Sequence, residues 1–155
     1  MKELVLKVIF LFVITITLTA CVTTTSNGEI VDRQVDALNR LEIANDYLFS
    51  LTPSAPWGLD VVPAGQIKRG ERSEFVESFK SFVEHAKSTA PDIPIVIGGE
   101  SSKMNSLVAT AALSDARKGS LSGSTFIFFG TEKDYIPVAE AIKHAGAKSI
   151  RVDIP

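Results

Sequence analysis

Cysteine is almost absent from this chain, since Cys21 is the only one among its 155 residues. A single cysteine cannot form a disulfide within the chain, and it cannot supply the several thiolates of a structural zinc site. Setting aside the first 20 of the 155 residues leaves 135, which is enough for one domain with one hydrophobic core. That core must therefore stabilise the domain without covalent cross-links.

Net charge is also small. The chain has 16 basic and 18 acidic residues, a formal net charge of −2. A protein that binds nucleic acid or anionic lipid headgroups through its overall charge has a clear excess of basic residues. The balance here therefore predicts no nucleic-acid partner.

The motifs of familiar enzyme and cofactor sites are missing as well. The sequence contains no Gly-x-Ser-x-Gly, Ser-x-x-Lys or His-Glu-x-x-His, and neither a P-loop nor Gly-x-Gly-x-x-Gly. Each of the two histidines, His85 and His144, falls on the polar side of a predicted helix near its C-terminus, where a cation suits the helix dipole. No metal-ligand spacing occurs, and we expect no cofactor and no metal.

The first 21 residues have the organisation of an export signal. Lys2 and Lys7 give a positive start, and an apolar run follows over residues 8–16, with Thr15 and Thr17 as its only polar neighbours. The run closes on small residues before Cys21. These are the parts of a secretory signal peptide, and the apolar run is shorter than the roughly 20 residues that a membrane-spanning helix requires.

The residues that close this segment, Leu18-Thr19-Ala20-Cys21, resemble the lipobox of bacterial lipoproteins, Leu-(Ala/Ser/Thr)-(Gly/Ala)-Cys, with no mismatch. The resemblance implies cleavage after Ala20, a diacylglyceryl thioether on Cys21 and a fatty acyl group such as palmitate on the new amino terminus. Val22 stands where aspartate is the usual inner-membrane retention signal, so the resemblance favours the periplasmic face of the outer membrane. The alternative is an ordinary signal peptide or an uncleaved anchor helix.

Four segments follow from this organisation. Residues 1–20 are the predicted cleaved signal, 21–29 the lipidated cysteine and a polar tether, 30–52 an amphipathic helix, and 57–155 a single α/β domain. The helix is predicted from an apolar stripe at three- and four-residue steps, comprising Val31, Val35, Leu38, Leu41, Ala44 and Leu48. Pro53 and Pro56 are expected to stop it. Its apolar face either packs on the following domain or binds a partner helix.

The remainder alternates between strand and helix patterns. Continuous apolar runs at 93–97 and 125–129 predict strands covered on both faces, and 149–154 predicts a last strand. Helical stripes begin after Ser73, after 98–102 and after 130–134, and Leu59–Val62 is a candidate strand ahead of them all. We expect a three-layer α/β sandwich with a small, mostly parallel sheet of about four strands.

Two loops follow predicted strands, at the edge where open parallel sheets bind ligands. They supply the candidate ligand-binding residues Gly98, Gly99, Ser101, Ser102, Thr131 and Asp134. Glycine N–H groups, hydroxyls and helix N-termini suit an anion, although Glu100 would repel one. The same residues also suit an ordinary turn from strand to helix.

The sequence therefore predicts a bacterial envelope lipoprotein whose domain faces the periplasm. The favoured function is non-catalytic binding or scaffolding, with an envelope protein or a cell-wall component as the partner and the membrane held through the acyl chains on Cys21. The alternative is a small envelope enzyme or a small-ligand (anion) binding domain that uses the loops at 98–102 and 130–134.

Overall fold

The structure, a computed structural model, describes residues 27–52, 61–71 and 73–154. The predicted signal peptide, Cys21 and residues 22–26 of the tether lie outside these ranges. In chain order, the elements are α1 (Asn27–Leu41), β1 (Leu48–Leu51), α2 (Val61–Lys68), α3 (Glu74–Thr89), β2 (Ile95–Gly98), α4 (Ser102–Ser114), β3 (Thr125–Phe129), α5 (Glu132–His144) and β4 (Lys148–Val152). Within the described ranges, no helix combines the length and hydrophobicity that a membrane span requires.

The four strands form one parallel sheet in the order β1-β2-β3-β4. Because this order never reverses and such crossovers are right-handed, the connecting helices fall on one face of the sheet. Helices α2 to α5 form that layer, over inward side chains that include Ile97 and Phe128. Helix α1 covers the opposite face, where Leu38 packs against Val96 and Ile127. The three-layer α/β sandwich predicted from the sequence is confirmed.

The two central strands form the middle of the core. Strand β3 has the predicted bounds, and Phe126 to Phe129 are 0% exposed. All four residues of β2 are buried. Side chains that alternate along these strands meet α1 on one face and the α2–α5 layer on the other, which is why both strands are apolar without interruption.

The first helix differs from its prediction at both ends. It begins at Asn27, inside the predicted tether, and it ends at Leu41, where Glu42 has a positive φ of 50°. Leu48–Leu51, predicted as the last turn of this helix, is strand β1 and pairs with β2. Apolar residues at helical spacing continue to Leu48, but hydrogen bonding to the free edge of β2 outweighs that periodicity.

The prediction of a strand at Leu59–Val62 is wrong, because Val61 and Val62 begin helix α2. The predicted Pro63–Gly65 turn lies within the same helix. The domain also begins earlier than residue 57, since α1 and β1 belong to the same sandwich. The short helix α2 contributes Ile67 to the core.

Two edges of the sheet matter for function: the carboxyl edge, where the four parallel strands end, and the amino edge, where they begin. Helix α1 runs from the first to the second. Gln34 donates from Nε2 to the carbonyl oxygen of Gly99, just beyond the end of β2, at 3.3 Å. From Leu41 the chain then reaches Leu48 at the start of β1. Asn27, the first residue of α1, therefore lies at the carboxyl edge.

Candidate functional site at the carboxyl edge

The two loops singled out from the sequence are neighbours at the carboxyl edge. Gly98 is the last residue of β2, Gly130 directly follows β3, and these two strands pair side by side. In many open α/β sheets the strand order reverses at one point, and a ligand crevice opens there. The order β1-β2-β3-β4 has no such reversal. The loops are brought together by strand pairing alone.

Ser102, Thr131 and Asp134 form a closed set of hydrogen bonds between the loops. The Ser102 hydroxyl donates to Asp134 Oδ2 at 2.6 Å and accepts from the Thr131 backbone N–H at 2.9 Å. The Thr131 hydroxyl donates to the same carboxylate oxygen at 2.9 Å. These bonds join the first turn of α4 to the first turn of α5. Both hydroxyl protons, which a ligand would need, are already donated within the molecule.

The two helices that begin at this edge are each capped by a hydroxyl of the same chain. Ser101 caps α4 by accepting from the Met104 N–H at 3.3 Å, and Thr131 caps α5 by accepting from the Asp134 N–H at 3.4 Å. Asp134 places its carboxylate in the first turn of α5, where the helix dipole stabilises negative charge. The Ser102 and Thr131 hydroxyls, which the sequence assigned to a bound anion, are therefore bonded to an internal carboxylate.

Gly98 and Gly99 lie between two layers of the sandwich. A Cβ at Gly98 would overlap Oε1 of Gln34. A Cβ at Gly99 would lie 2.6 Å from the carbonyl oxygen of Thr52 and 2.7 Å from Oδ1 of Asn105, and Gly99 has a φ of +141°. Close packing therefore explains both glycines. The atom nearest to each added Cβ is an oxygen, which disfavours an anion on that side of the glycines.

Gln34 and Asn105 approach the ends of β2 and β3 from opposite faces of the sheet, and each donates a hydrogen bond to a backbone carbonyl there. They are 1% and 0% exposed, and Asn105 Nδ2 donates to the carbonyl oxygen of Phe129 at 3.2 Å. Among the described residues, the side-chain oxygens Gln34 Oε1 and Asn105 Oδ1 have no hydrogen-bond partner. Neither residue was among the predicted site residues. For Gln34 the sequence contains an indication of this role, because its polar side chain interrupts an apolar stripe midway between Ile30 and Leu38.

Arg151 completes the edge at the end of β4. Its Nη1 donates to the carbonyl oxygen of Gly130 at 3.2 Å, and its Nε lies 2.9 Å from Oε2 of Glu132. It also pairs with Asp153. The side-chain hydrogen bond to Asp153, together with the charges of Asp153 and Glu132, raises the pKa of Arg151 above its usual value against the opposing effect of burial. Arg151 is therefore already shared by two carboxylates.

The geometry gives little support to catalysis by these loops. Ser102 and Asp134 are in hydrogen-bond contact, but serine nucleophiles are activated by an imidazole or an amine. His85 and His144 lie near the C-terminal ends of α3 and α5, toward the amino edge, and both are exposed. In the described part of the chain, no three His, Cys, Asp or Glu side chains are grouped so as to hold a metal ion. The loops resemble a structural joint between α4 and α5.

The chain gives no match to a protein-family model, to a curated protein sequence or to a solved structure.

Proposed function

We propose that this protein is a bacterial envelope lipoprotein, anchored through acyl chains on Cys21, whose α/β domain is a non-catalytic binding module in the periplasm. The observation that carries the proposal is Leu18-Thr19-Ala20-Cys21 at the end of a short apolar run with a positive start. More than one acyl chain gives durable anchoring, because each buried methylene contributes about 0.8 kcal/mol and a single chain binds only marginally. Val22 favours the outer membrane as the destination.

The direction of α1 supports an orientation for the anchored domain. Asn27 follows Cys21 by six residues, a segment that spans about 20 Å when fully extended. The 15 residues of α1 extend about 22 Å, from the carboxyl edge towards the amino edge. With the amino edge against the bilayer, this tether would have to be fully extended along the whole length of α1 to reach Asn27. The opposite orientation needs no such extension, so we propose that the carboxyl edge faces the membrane and the amino edge faces the periplasm.

The hydrogen bonding at the carboxyl edge supports binding elsewhere over catalysis there. The hydroxyl protons of Ser102 and Thr131 are donated to Asp134, and Arg151 is held by two carboxylates. A site that works on a substrate keeps polar groups available to that substrate. In the proposed orientation, this same edge lies closest to the bilayer, where access for a large substrate is poorest.

The anchor is tested by metabolic labelling with an alkyne-bearing fatty acid in a bacterial host. The wild-type protein should incorporate the label, and Cys21→Ser should abolish incorporation because the sulfur that carries the diacylglyceryl group is gone. Val22→Asp serves as a matched variant, which should keep the label and move from the outer to the inner membrane on fractionation. Label retained by Cys21→Ser would contradict the lipoprotein proposal, and wild-type protein found wholly in the inner membrane would contradict the sorting.

A further inference from the structure

A groove of about 760 Å³ lies at the amino edge, far from the loops described above. It is bounded by the C-terminal halves of α3 and α4 and by the connection from α4 to β3. Its floor is aliphatic and is made by Val83, Ala112, Leu113, Ala116 and Leu121. We call it the amino-edge groove.

Four cations surround this floor: Lys80 and Lys87 from α3, and Arg117 and Lys118 from the connection. Lys80 pairs with Asp115 at 3.0 Å. Lys87 donates to the carbonyl oxygen of Ser120, and no ion pair among the described residues involves it. Arg117 and Lys118 are exposed, and no ion pair within the described ranges involves either one.

Glu84 and Asp115 lie among the groove residues, and Glu77 lies 3.9 Å from Lys80, so the four basic groups exceed these three carboxylates by one. The connection also packs against the end of α5 and the start of β4, which carry Lys143 and Lys148. Gly119 N–H donates to the carbonyl oxygen of His144 at 3.3 Å, and Lys148 N–H donates to that of Ser124 at 3.0 Å. The groove is therefore locally basic on a chain whose formal net charge is −2.

The cations and the aliphatic floor of the groove indicate which kind of ligand it would bind. The cations attract a carboxylate-rich ligand, and such complementarity sets both orientation and association rate. The aliphatic floor favours apolar side chains, since hydroxyl groups of a sugar polymer would lose water there without gaining partners. A lipid headgroup of the anchoring leaflet is on the opposite side in the proposed orientation.

We infer that the amino-edge groove binds an acidic segment of an envelope protein, with carboxylates on the cations and aliphatic side chains on the floor. The inference rests on the proposed function for its setting in the envelope. The contacts themselves depend only on the folded domain, so the two are tested separately.

The test measures fluorescence anisotropy with the full, processed protein in detergent. The probe is a labelled peptide of Glu-Glu-Leu repeats, compared with Glu-Glu-Ser and Lys-Lys-Leu peptides of equal length. We expect saturable binding of the Glu-Glu-Leu peptide that weakens with added salt. The Glu-Glu-Ser peptide should bind more weakly, and the Lys-Lys-Leu peptide should not bind. Equal binding of the two acidic peptides would overturn the groove as the site, because it would show charge attraction alone.

Variants locate the site on the molecule. Arg117→Glu with Lys118→Glu should weaken peptide binding by about tenfold or more. Lys103→Glu with Lys133→Glu makes the same charge change at the carboxyl edge, and we expect less than about a twofold effect because those residues lie away from the groove. Ala116→Phe fills the floor at unchanged charge and should also weaken binding. Equal losses from both charge-reversed pairs, or full binding by Ala116→Phe, would overturn the inference.

A reconstituted sample separates this inference from the anchor. Protein inserted into vesicles of zwitterionic lipid should bind the Glu-Glu-Leu peptide as it does in detergent, since the amino edge faces away from the bilayer. Loss of peptide binding on reconstitution would contradict the orientation. Absence of acyl label on the same preparation would contradict the lipoprotein proposal, while the detergent result would still decide the groove.

Discussion

Gly99 combines a positive φ with a close approach to the backbone of another segment. Its φ is +141°, and a Cβ would approach the Thr52 carbonyl oxygen to 2.6 Å. We expect Gly99→Ala to lower the free energy of unfolding by roughly 3 kcal/mol or more, because strain and overlap add. Gly70→Ala is the matched control, since Gly70 has a φ of +71° with no atom within 4 Å of the added carbon. It should cost about 1 kcal/mol. Urea unfolding measures both, and equal losses would contradict the packing explanation.

Replacement of Ser101 and Ser102 tests whether the two loops are a structural connection between α4 and α5 or a ligand site. Their replacement by alanine removes the cap of α4 and the bonds to Thr131 and Asp134. We expect a loss of about 1–3 kcal/mol in unfolding free energy, and full complementation of a deletion strain. Unfolding by urea and growth under envelope stress measure the two effects. A folded double variant that fails to complement would revive the alternative of a ligand or enzyme site at these loops.

At the scale of elements, α1 tests whether the first helix belongs to the domain. Leu38 is 0% exposed against the sheet, whereas Leu41, on the same helix, is 53% exposed. Leu38→Ala should lower the free energy of unfolding by about 2–5 kcal/mol through the transfer and cavity terms. Leu41→Ala should change it by less than about 0.5 kcal/mol. Equal and small effects in a thermal or urea melt would mean that α1 does not pack on the sheet.

The elements also show what can be predicted from sequence and what cannot. Strand β3 and the stripe of α3 were predicted well, because each is long or uniformly apolar and its periodicity is local. Strand β1 was missed, since four residues of mixed polarity become a strand only by pairing with β2. The roles of Gln34 and Asn105 depend on contacts across the sheet, which one sequence does not display.

At the scale of the whole molecule, the proposed anchor on Cys21 would give the domain one orientation relative to the membrane. Cys21 is the only cysteine, so a second cysteine placed on an acylated protein is a unique site for a fluorophore. We expect a label at Lys133→Cys, on the carboxyl edge, to be quenched by nitroxide lipids more strongly than a label at Lys118→Cys. Both positions are exposed, and therefore suited to labelling. Equal quenching in reconstituted vesicles, or stronger quenching at position 118, would contradict the orientation.

Helix α1 covers one sheet face and, in the proposed lipoprotein, would also be the element next to the anchor. A partner that pulled on the amino edge while the lipid held Cys21 would then load the protein through α1. That helix is held by side-chain packing around Leu38 and by the Gln34 bond to Gly99, whereas the strands are held by rows of backbone hydrogen bonds. We therefore expect tension to detach α1 from the sheet while the strands stay hydrogen-bonded to one another. The sheet face bearing Val96 and Ile127 would then be exposed while the sheet is still folded. Exposure of this apolar face would therefore depend on the force applied to the domain.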